Sequence, residues 1–226
     1  MKLLKPLIPA LIILGAVFYH KEEIKDMKKI STLFKKDPNN LGRVINEVNP
    51  ENEWVYGGFA LPTREFDGTS CAIINGELYK RYDCKINKET GEYKKPIPTG
   101  AIPCQDADKL SGHHPHWIKC ERSDKSNKYH FEAFDSLMKN IIPDNFDPNR
   151  YDGTYELCGP KVQGNPERLD CHKLIRHGGE KCMVDDFGFD ELKAYLNTRD
   201  IQGIVFHHIT DGRMCKIRKS DFGIRR

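Results

Sequence analysis

The sequence predicts an α+β protein built on antiparallel sheets. Short apolar or alternating segments of strand type are separated by turn residues, and only residues 129–142 and 187–196 have the spacing of amphipathic helices. The strands follow one another through tight turns, of which Asn75-Gly76 is the clearest. Because strands and helices do not alternate regularly, a parallel sheet of βαβ units is not expected.

Composition sets broad limits on the protein class. The chain has 226 residues, which is enough for one substantial domain with a buried core. Lys and Arg outnumber Asp and Glu by 36 to 33, and the formal net charge is +3. A balance this mild does not by itself indicate a nucleic-acid partner, so any phosphate-binding surface must come from a local cluster of cations.

The eight cysteines include no Cys-x-x-Cys pair and show no regular spacing. Cys71, Cys158 and Cys215 lie inside apolar, strand-like segments, where Cys packs as a small hydrophobic residue. The pattern predicts free thiols in a reducing, cytoplasmic compartment. The alternative is a secreted or membrane-tethered protein that is stabilised by disulfides.

Residues 1–26 differ in character from the rest of the chain. A basic start is followed by an apolar segment at 7–19, which runs into charged residues without a small-residue cleavage site. The apolar segment is shorter than the roughly 20 residues that span a bilayer. Three alternatives stay open: a membrane anchor that gives weak membrane association, an export signal, or sequence upstream of a working start at Met27. The folded domain is expected at residues 27–226.

The stretch at residues 63–70, Thr-Arg-Glu-Phe-Asp-Gly-Thr-Ser, lies between two predicted strands. Residues 55–61 ahead of it are mostly apolar, and residues 71–74 behind it form an apolar run that meets the Asn75-Gly76 turn. An Asp-Gly pair at a strand junction is ordinarily only a turn. The functional interest of this pair comes from the residues around it.

The pattern Phe-Asp-Gly-Thr-Ser after a strand resembles the first motif of the covalent nucleotidyltransferases, which include ATP-dependent RNA and DNA ligases and mRNA capping enzymes. In that family the motif is Lys-x-Asp-Gly, and the Lys amine attacks the α-phosphate of ATP. Glu65 stands at the position that matches the Lys, and Asp67 and Gly68 match the Asp-Gly pair. The resemblance implies an antiparallel-sheet, ATP-grasp-like adenylylation domain.

Later segments resemble further motifs of the same family, in the family's order. Arg81 matches an Arg that contacts the nucleotide phosphates, and Glu156 matches a Glu that engages the ribose or a metal-bound water. Gln202 stands where the family has a Glu that helps to hold the divalent metal. Lys216 and Arg218 match a Lys-x-Lys motif whose amines bind the α-phosphate.

Within the family the chain is most similar to the small ATP-dependent 5′-to-3′ RNA ligases of vertebrates and large phages, over residues 30–226. The likeness extends to the segments at 112–117, 164–166 and 172–178. No C-terminal OB-fold module follows the last motif, as expected of an RNA ligase rather than a DNA ligase or capping enzyme. The resemblance implies ATP and Mg²⁺ or Mn²⁺ as cofactors and RNA ends as partners.

Two positions depart from the family pattern. Glu65 carries no amine, and its negative charge repels a polyanion. Gln202 is neutral and is therefore a weaker metal ligand than Glu. The implied catalytic residues are Glu65, Lys216 and Arg218; the implied ATP-binding residues are Asp67, Gly68, Arg81, Glu156, Lys216 and Arg218; and the implied metal-binding residues are Glu156 and Gln202.

These residues are compatible with two functions. The first is an RNA ligase that joins 5′-phosphate to 3′-hydroxyl RNA ends through protein-AMP and RNA-adenylate intermediates and is impaired at Glu65. The second is a catalytically inactive, ligase-like module that binds ATP and RNA ends.

Overall fold

A computed structural model describes residues 30–109, 111–139 and 149–226. The N-terminal extension at 1–26 lies outside the described residues, as does the last part of the helix predicted at 129–142. The described residues form a mixed α+β structure with mostly antiparallel sheets and few helices, which confirms the fold class at this level. Within these ranges, the helices are too short or too polar to cross a membrane.

The regular elements of the described residues are short, and most are strands. The strands are β1 (Ser31–Thr32), β2 (Phe34–Asp37), β3 (Asn40–Val48), β4 (Ala60–Glu65), β5 (Thr69–Ile74), β6 (Glu77–Tyr82), β7 (Ile102–Pro103), β8 (His116–Lys119), β9 (Gly153–Cys158), β10 (Lys173–Arg176), β11 (Gly203–His208) and β12 (Met214–Arg218). The α-helices are α1 (Lys128–Lys139) and α2 (Phe189–Thr198), and the 3-10 helices are Pro50–Gly57, Lys125–Asn127 and Lys219–Phe222.

The strands form two main sheets and a small hairpin. The first sheet has the order β1-β12-β11-β4, the second has the order β10-β9-β5-β6-β8-β7, and β2 pairs with β3. The pairing of β1 with β12 is parallel, and the other pairs of these strands are antiparallel. Because β4 belongs to the first sheet and β5 to the second, the Phe-Asp-Gly segment is the link between the sheets.

Each main sheet buries one face in an apolar core. In the first sheet, Ile204, Phe206 and Ile217 are fully buried, and they pack with Leu192 and Leu196 of α2. Successive side chains of a strand point to opposite faces. The opposite face of β11 and β12 therefore carries the alternate residues, which begin at Gly203 and include the two cations of β12.

The second sheet follows the same rule with α1 as its cover. Cys71 and Ile73 of β5 and Leu157 of β9 lie in a core with Phe134 and Leu137 of the helix. The alternate residues of these strands, which include Ser70 and Glu156, face away from α1. Among the described residues, α1 and α2 each cover one face of a sheet. The opposite faces, which we call helix-free, carry Glu65, Arg81, Glu156, Lys216 and Arg218, and that of the second sheet also carries a small buried cluster of Ala72, Cys104 and Trp117.

The prediction of a strand at residues 55–61 is wrong, because the strand lies further along the chain. Pro50–Gly57 forms a 3-10 helix, which begins at a proline and is followed by Gly58 in the left-handed region at φ 80°. The strand starts only at Ala60 and extends to Glu65. Glu65 is therefore the last residue of a paired strand, and strand pairing fixes its backbone.

All eight cysteines are free thiols, and each except Cys171 is buried. The prediction of free thiols is confirmed. Burial raises the pKa of the Cys158 thiol to about 12, with smaller contributions from nearby carboxylates. This thiol lies beneath the link between the sheets, where it packs as a small hydrophobic side chain.

The link passes so close to β9 that a side chain at position 68 should destabilise the fold. A Cβ at this position would collide with the carbonyl oxygen of Leu157 and lie 2.9 Å from Cys158 Sγ. We expect Gly68→Ala to reduce the free energy of unfolding by about 1–3 kcal/mol, because the crowding is against backbone. In Gly57→Ala, the nearest atom to the new Cβ is 3.5 Å away. Urea unfolding that gives equal stabilities for both variants would contradict this prediction.

Candidate functional site

The first group of predicted residues meets at the end of β4. The Glu65 carboxylate, whose side chain is 11% exposed, accepts a hydrogen bond from Lys216 Nζ at 3.1 Å. Arg218 donates from Nε to both carboxylate oxygens at 2.9 Å and from Nη2 to Oε1 at 2.5 Å. Glu65, Lys216 and Arg218, which we call the ion cluster, therefore hold one carboxylate between two cations.

The ion cluster depends on a glycine in the strand between its members. Glu65 and Arg218 both pair with Gly203 of β11, so their backbones are two strand spacings apart, or about 10 Å. A Cβ at Gly203 would lie 2.8 Å from Glu65 Oε2 and 2.6 Å from the Ile217 carbonyl oxygen. The two long side chains meet across β11 because residue 203 has no side chain.

The electrostatics of the ion cluster favour the charged form of Arg218. The hydrogen bonds from Arg218 to Glu65 raise the pKa of that guanidinium above its ordinary value, although burial opposes the shift. Charge-assisted hydrogen bonds of this kind are roughly twice as strong as neutral ones. Lys216 and Arg218, for which the family resemblance implies phosphate binding, are thus already bound to the Glu65 carboxylate.

A second group lies on the helix-free face of the second sheet. Ser70 donates its hydroxyl hydrogen to Glu156 Oε2 at 3.3 Å, and His177 Nε2 lies 3.0 Å from the same oxygen. Arg81 Nη1 donates to Ser70 Oγ at 3.3 Å, and Arg81 Nε lies 3.0 Å from Asp83. The structure therefore joins Arg81 to Glu156 through Ser70, and it adds His177, which the sequence did not single out.

His207 of β11 is a further unpredicted residue on the helix-free face of the first sheet. The Thr63 hydroxyl oxygen lies 3.2 Å from the Val205 carbonyl oxygen and 3.0 Å from His207 Nε2. A Cβ at Gly178 would lie 3.4 Å from the His207 ring. The segment at 177–178, which follows β10 of the second sheet, therefore lies beside His207 of the first sheet, and we call the region where the two helix-free faces meet the cleft.

Burial lowers the pKa of His207 to about 4, with a smaller contribution from the charge of His177. The imidazole of His207 is therefore neutral near pH 7.

A third group of charges holds the Asp67-Gly68 turn. Glu167, whose side chain is only 2% exposed, accepts from the Asp67 backbone N–H at 2.9 Å and pairs with Arg64 and Arg226. Burial raises the pKa of the Asp67 carboxyl, and Arg226 opposes this shift. Asp67 therefore anchors the turn through its backbone, while its carboxylate lies 3.6 Å from Arg226.

The predicted site residues divide into separate contacts on the two helix-free faces. Lys216 and Arg218 contact Glu65, and Arg81 contacts Glu156 through Ser70. Gln202 precedes β11, and its carbonyl accepts from the Lys219 backbone N–H at 3.0 Å.

The residues missed from the sequence are Thr63, Glu167, His177, His207 and Arg226. Strand alternation could have pointed to His207, which lies two residues beyond Val205 on the face of Gly203. The other four act through contacts that span long stretches of the chain.

The protein groups fit a metal ion poorly on their own. Within the described ranges, His, Cys, Asp and Glu side chains form no group of three that could hold a metal ion. Glu156 is one carboxylate that already accepts from two partners, and Gln202 is a neutral amide. Mg²⁺ commonly binds through one or two carboxylates with phosphates and water as the remaining ligands. The described side chains thus supply fewer ligands than Mg²⁺ needs.

No protein-family model matches the chain, and no curated protein matches it at a significant level. The likeness to the covalent nucleotidyltransferases therefore rests on the motifs and remains an expectation.

The low pKa of His207 predicts a pH-dependent stability. Its value is about 4 in the folded protein and about 6.5 when the chain is unfolded, so the unfolded state binds more protons between these values. Stability should fall as the pH drops from 6.5 towards 4, by up to about 3 kcal/mol from this residue. In His207→Gln this part of the decrease should disappear. Equal decreases in both proteins between pH 7.5 and 4.5, measured by urea unfolding, would contradict the assignment.

Proposed function

We propose that the protein binds ATP and RNA ends as an RNA-ligase-like module and does not transfer AMP to itself. The proposal rests on one observation above all: Glu65 stands at the motif position of the nucleophile and is bound by Lys216 and Arg218. A carboxylate bound in this way has no amine to offer to the α-phosphate. The eight free thiols support a reducing compartment such as the cytoplasm.

The cations of the ion cluster are suited to a phosphate ligand. Arg218 presents a planar fork that matches two oxygens of a carboxylate or phosphate, and Lys216 adds a point charge beside it. A phosphate must displace or share the Glu65 carboxylate in order to reach them. ATP, which carries several negative charges, competes with a single carboxylate far better than a monoanion does.

The rest of the cleft offers polar groups for the remainder of a nucleotide. From Gly203 to His207 the strand rises by about 13 Å, which is comparable with the length of a nucleotide. Phosphates at the ion cluster would leave the nucleoside beside Val205, between His207 and the pair of Glu156 and His177. Mg²⁺ or Mn²⁺ would neutralise phosphate charge and would enter with ATP.

An active RNA ligase is a second candidate, and one observation favours it. Residue 65 ends a paired strand, and its side chain reaches the terminal nitrogens of both cations. A Lys at this position would present its amine to a phosphate bound by the same cations. The backbone arrangement therefore suits AMP transfer, but the Glu65 side chain lacks the amine that this transfer needs.

Two substitutions in the ion cluster should change ATP affinity in opposite directions. Lys216→Ala removes a phosphate-binding cation, and we expect ATP to bind at least tenfold more weakly, which corresponds to about 1.4 kcal/mol. Glu65→Gln removes the competing charge at nearly constant shape, and we expect at least tenfold tighter binding. Isothermal titration calorimetry at fixed ionic strength measures both.

The matched control is Glu47→Gln, which breaks an exposed ion pair with Lys35 of 2.9 Å and should leave ATP binding unchanged. ATP binding that is weaker in Glu65→Gln than in the wild type would show that the carboxylate assists the ligand, contrary to the proposal.

Glu65→Lys should create transfer of AMP from ATP to the protein: the amine attacks the α-phosphate, the bond to the β-phosphate breaks, and pyrophosphate leaves. The new amine would lie beside Lys216 and Arg218, and like charges lower its pKa, which increases the fraction of reactive free amine. Adding Gln202→Glu should raise the rate by supplying a further carboxylate for the metal. The measurement is ³²P label that stays on the denatured protein, is stable in base and is lost in acid.

Glu65→Arg is the control, because it supplies the same charge without a nucleophilic amine and should take up no label. If the double variant folds and binds ATP but takes up no label, residue 65 does not lie at a nucleophile position.

A further inference from the structure

A cavity of about 320 Å³ lies on the side of the second sheet that α1 covers, opposite the cleft. This volume is at the lower end of the range for small-molecule sites. Leu157 and Val162 are buried and provide an apolar floor. The remaining lining residues carry hydroxyl, amide, ammonium or imidazole groups; they are Thr69, Ser126, Tyr129, His130, Lys161 and Gln163.

The charges around this cavity are predominantly positive. Lys125, Lys128 and Lys161 form no ion pair with any residue that the structure describes, and the first turn of α1 contains no acidic residue. The carboxylates of the neighbouring segments are already engaged. Asp124 accepts from Ser126, Glu132 from His172, and Asp135 from Arg122.

His130 adds an unsatisfied polar group to the lining. Both of its ring nitrogens are buried and have no hydrogen-bond partner among the described residues. Buried polar groups in folded proteins nearly always have a partner, and one left without a partner is destabilising. Burial, assisted by the charge of Lys80, lowers the pKa of His130 to about 4, so the ring is neutral near pH 7.

We infer that this cavity binds a phosphomonoester with a small organic part, such as a mononucleotide or the 5′-phosphorylated end of an RNA. A phosphomonoester is an anion that uses several hydrogen-bond donors. Lys161 and the hydroxyls of Thr69, Ser126 and Tyr129 supply them, while the apolar floor takes the organic part. His130 lines the same cavity and holds two ring nitrogens without a partner among the described residues.

The inferred site is distinct from the cleft and does not depend on the proposed function. Thr69 and Leu157 point towards α1, whereas Ser70 and Glu156 of the same strands point towards the cleft. Thr69 directly follows Gly68, so a ligand in the cavity would contact the link between the sheets from behind.

The test uses the full chain and follows the ring signals of His130 by NMR while AMP is added. We expect AMP to shift these signals in the wild type and in Lys216→Ala, and we expect Lys161→Ala to weaken this binding at least tenfold. Lys173→Ala is the matched control, because it removes an exposed Lys from β10, outside the cavity lining, and should bind as the wild type does.

A further comparison separates the two sources of the phosphate. An RNA trinucleotide with a 5′-phosphate should shift the His130 signals if RNA ends are the ligand, and stronger binding of AMP would identify the free nucleotide. The inference is overturned if the same RNA with a 5′-hydroxyl binds equally well, if Lys161→Ala has no effect, or if Lys173→Ala causes the same loss. Because Lys216→Ala affects only the cleft, the experiments can contradict the proposed function without contradicting this inference, and the reverse.

Discussion

The ion cluster is the interaction on which the first sheet's helix-free face depends. Lys216 and Arg218 are alternate residues of one strand, and without an anion they would repel each other on a half-buried surface. Glu65 neutralises part of that charge from two strands away. It reaches the cations because Gly203, in the strand between, leaves the space free.

The link between the sheets imposes a second constraint, which is steric. The chain leaves the first sheet at Glu65 and enters the second at Thr69, and in between it lies directly against β9. Glu167 holds the link from the other side by accepting from the Asp67 backbone and by binding Arg64 and Arg226. The buried carboxylate of Glu167 is tolerated because each of its oxygens has a charged partner.

Much of the secondary structure could be predicted from the sequence, because local rules decide it. The Asn75-Gly76 turn has positive φ at both residues, and the apolar stripe of α1 packs on the second sheet, as their patterns predict. The expected strand at 55–61 was wrong, because apolar content there does not distinguish a strand from a 3-10 helix. The Pro at its start and the glycines at its end were the better signals.

The site was predictable only where strand alternation fixes the direction of a side chain. Lys216 and Arg218 follow that rule, and so does His207 in hindsight. The contact between Glu65 and Arg218 spans most of the chain and needs a glycine in a third strand, so no local pattern contains it. The role of Glu167 is hidden for the same reason, since its three partners come from both ends of the domain.

Under the proposed function, a site that carries its own anion selects its ligand by charge. A monoanion gains little by replacing Glu65, because the carboxylate is already in place and is held by several hydrogen bonds. A ligand with several negative charges interacts with both cations at once and leaves the released carboxylate free to return to water. On this proposal, the residue that stands where the resembled motif has its nucleophile also raises the charge that a ligand needs in order to bind.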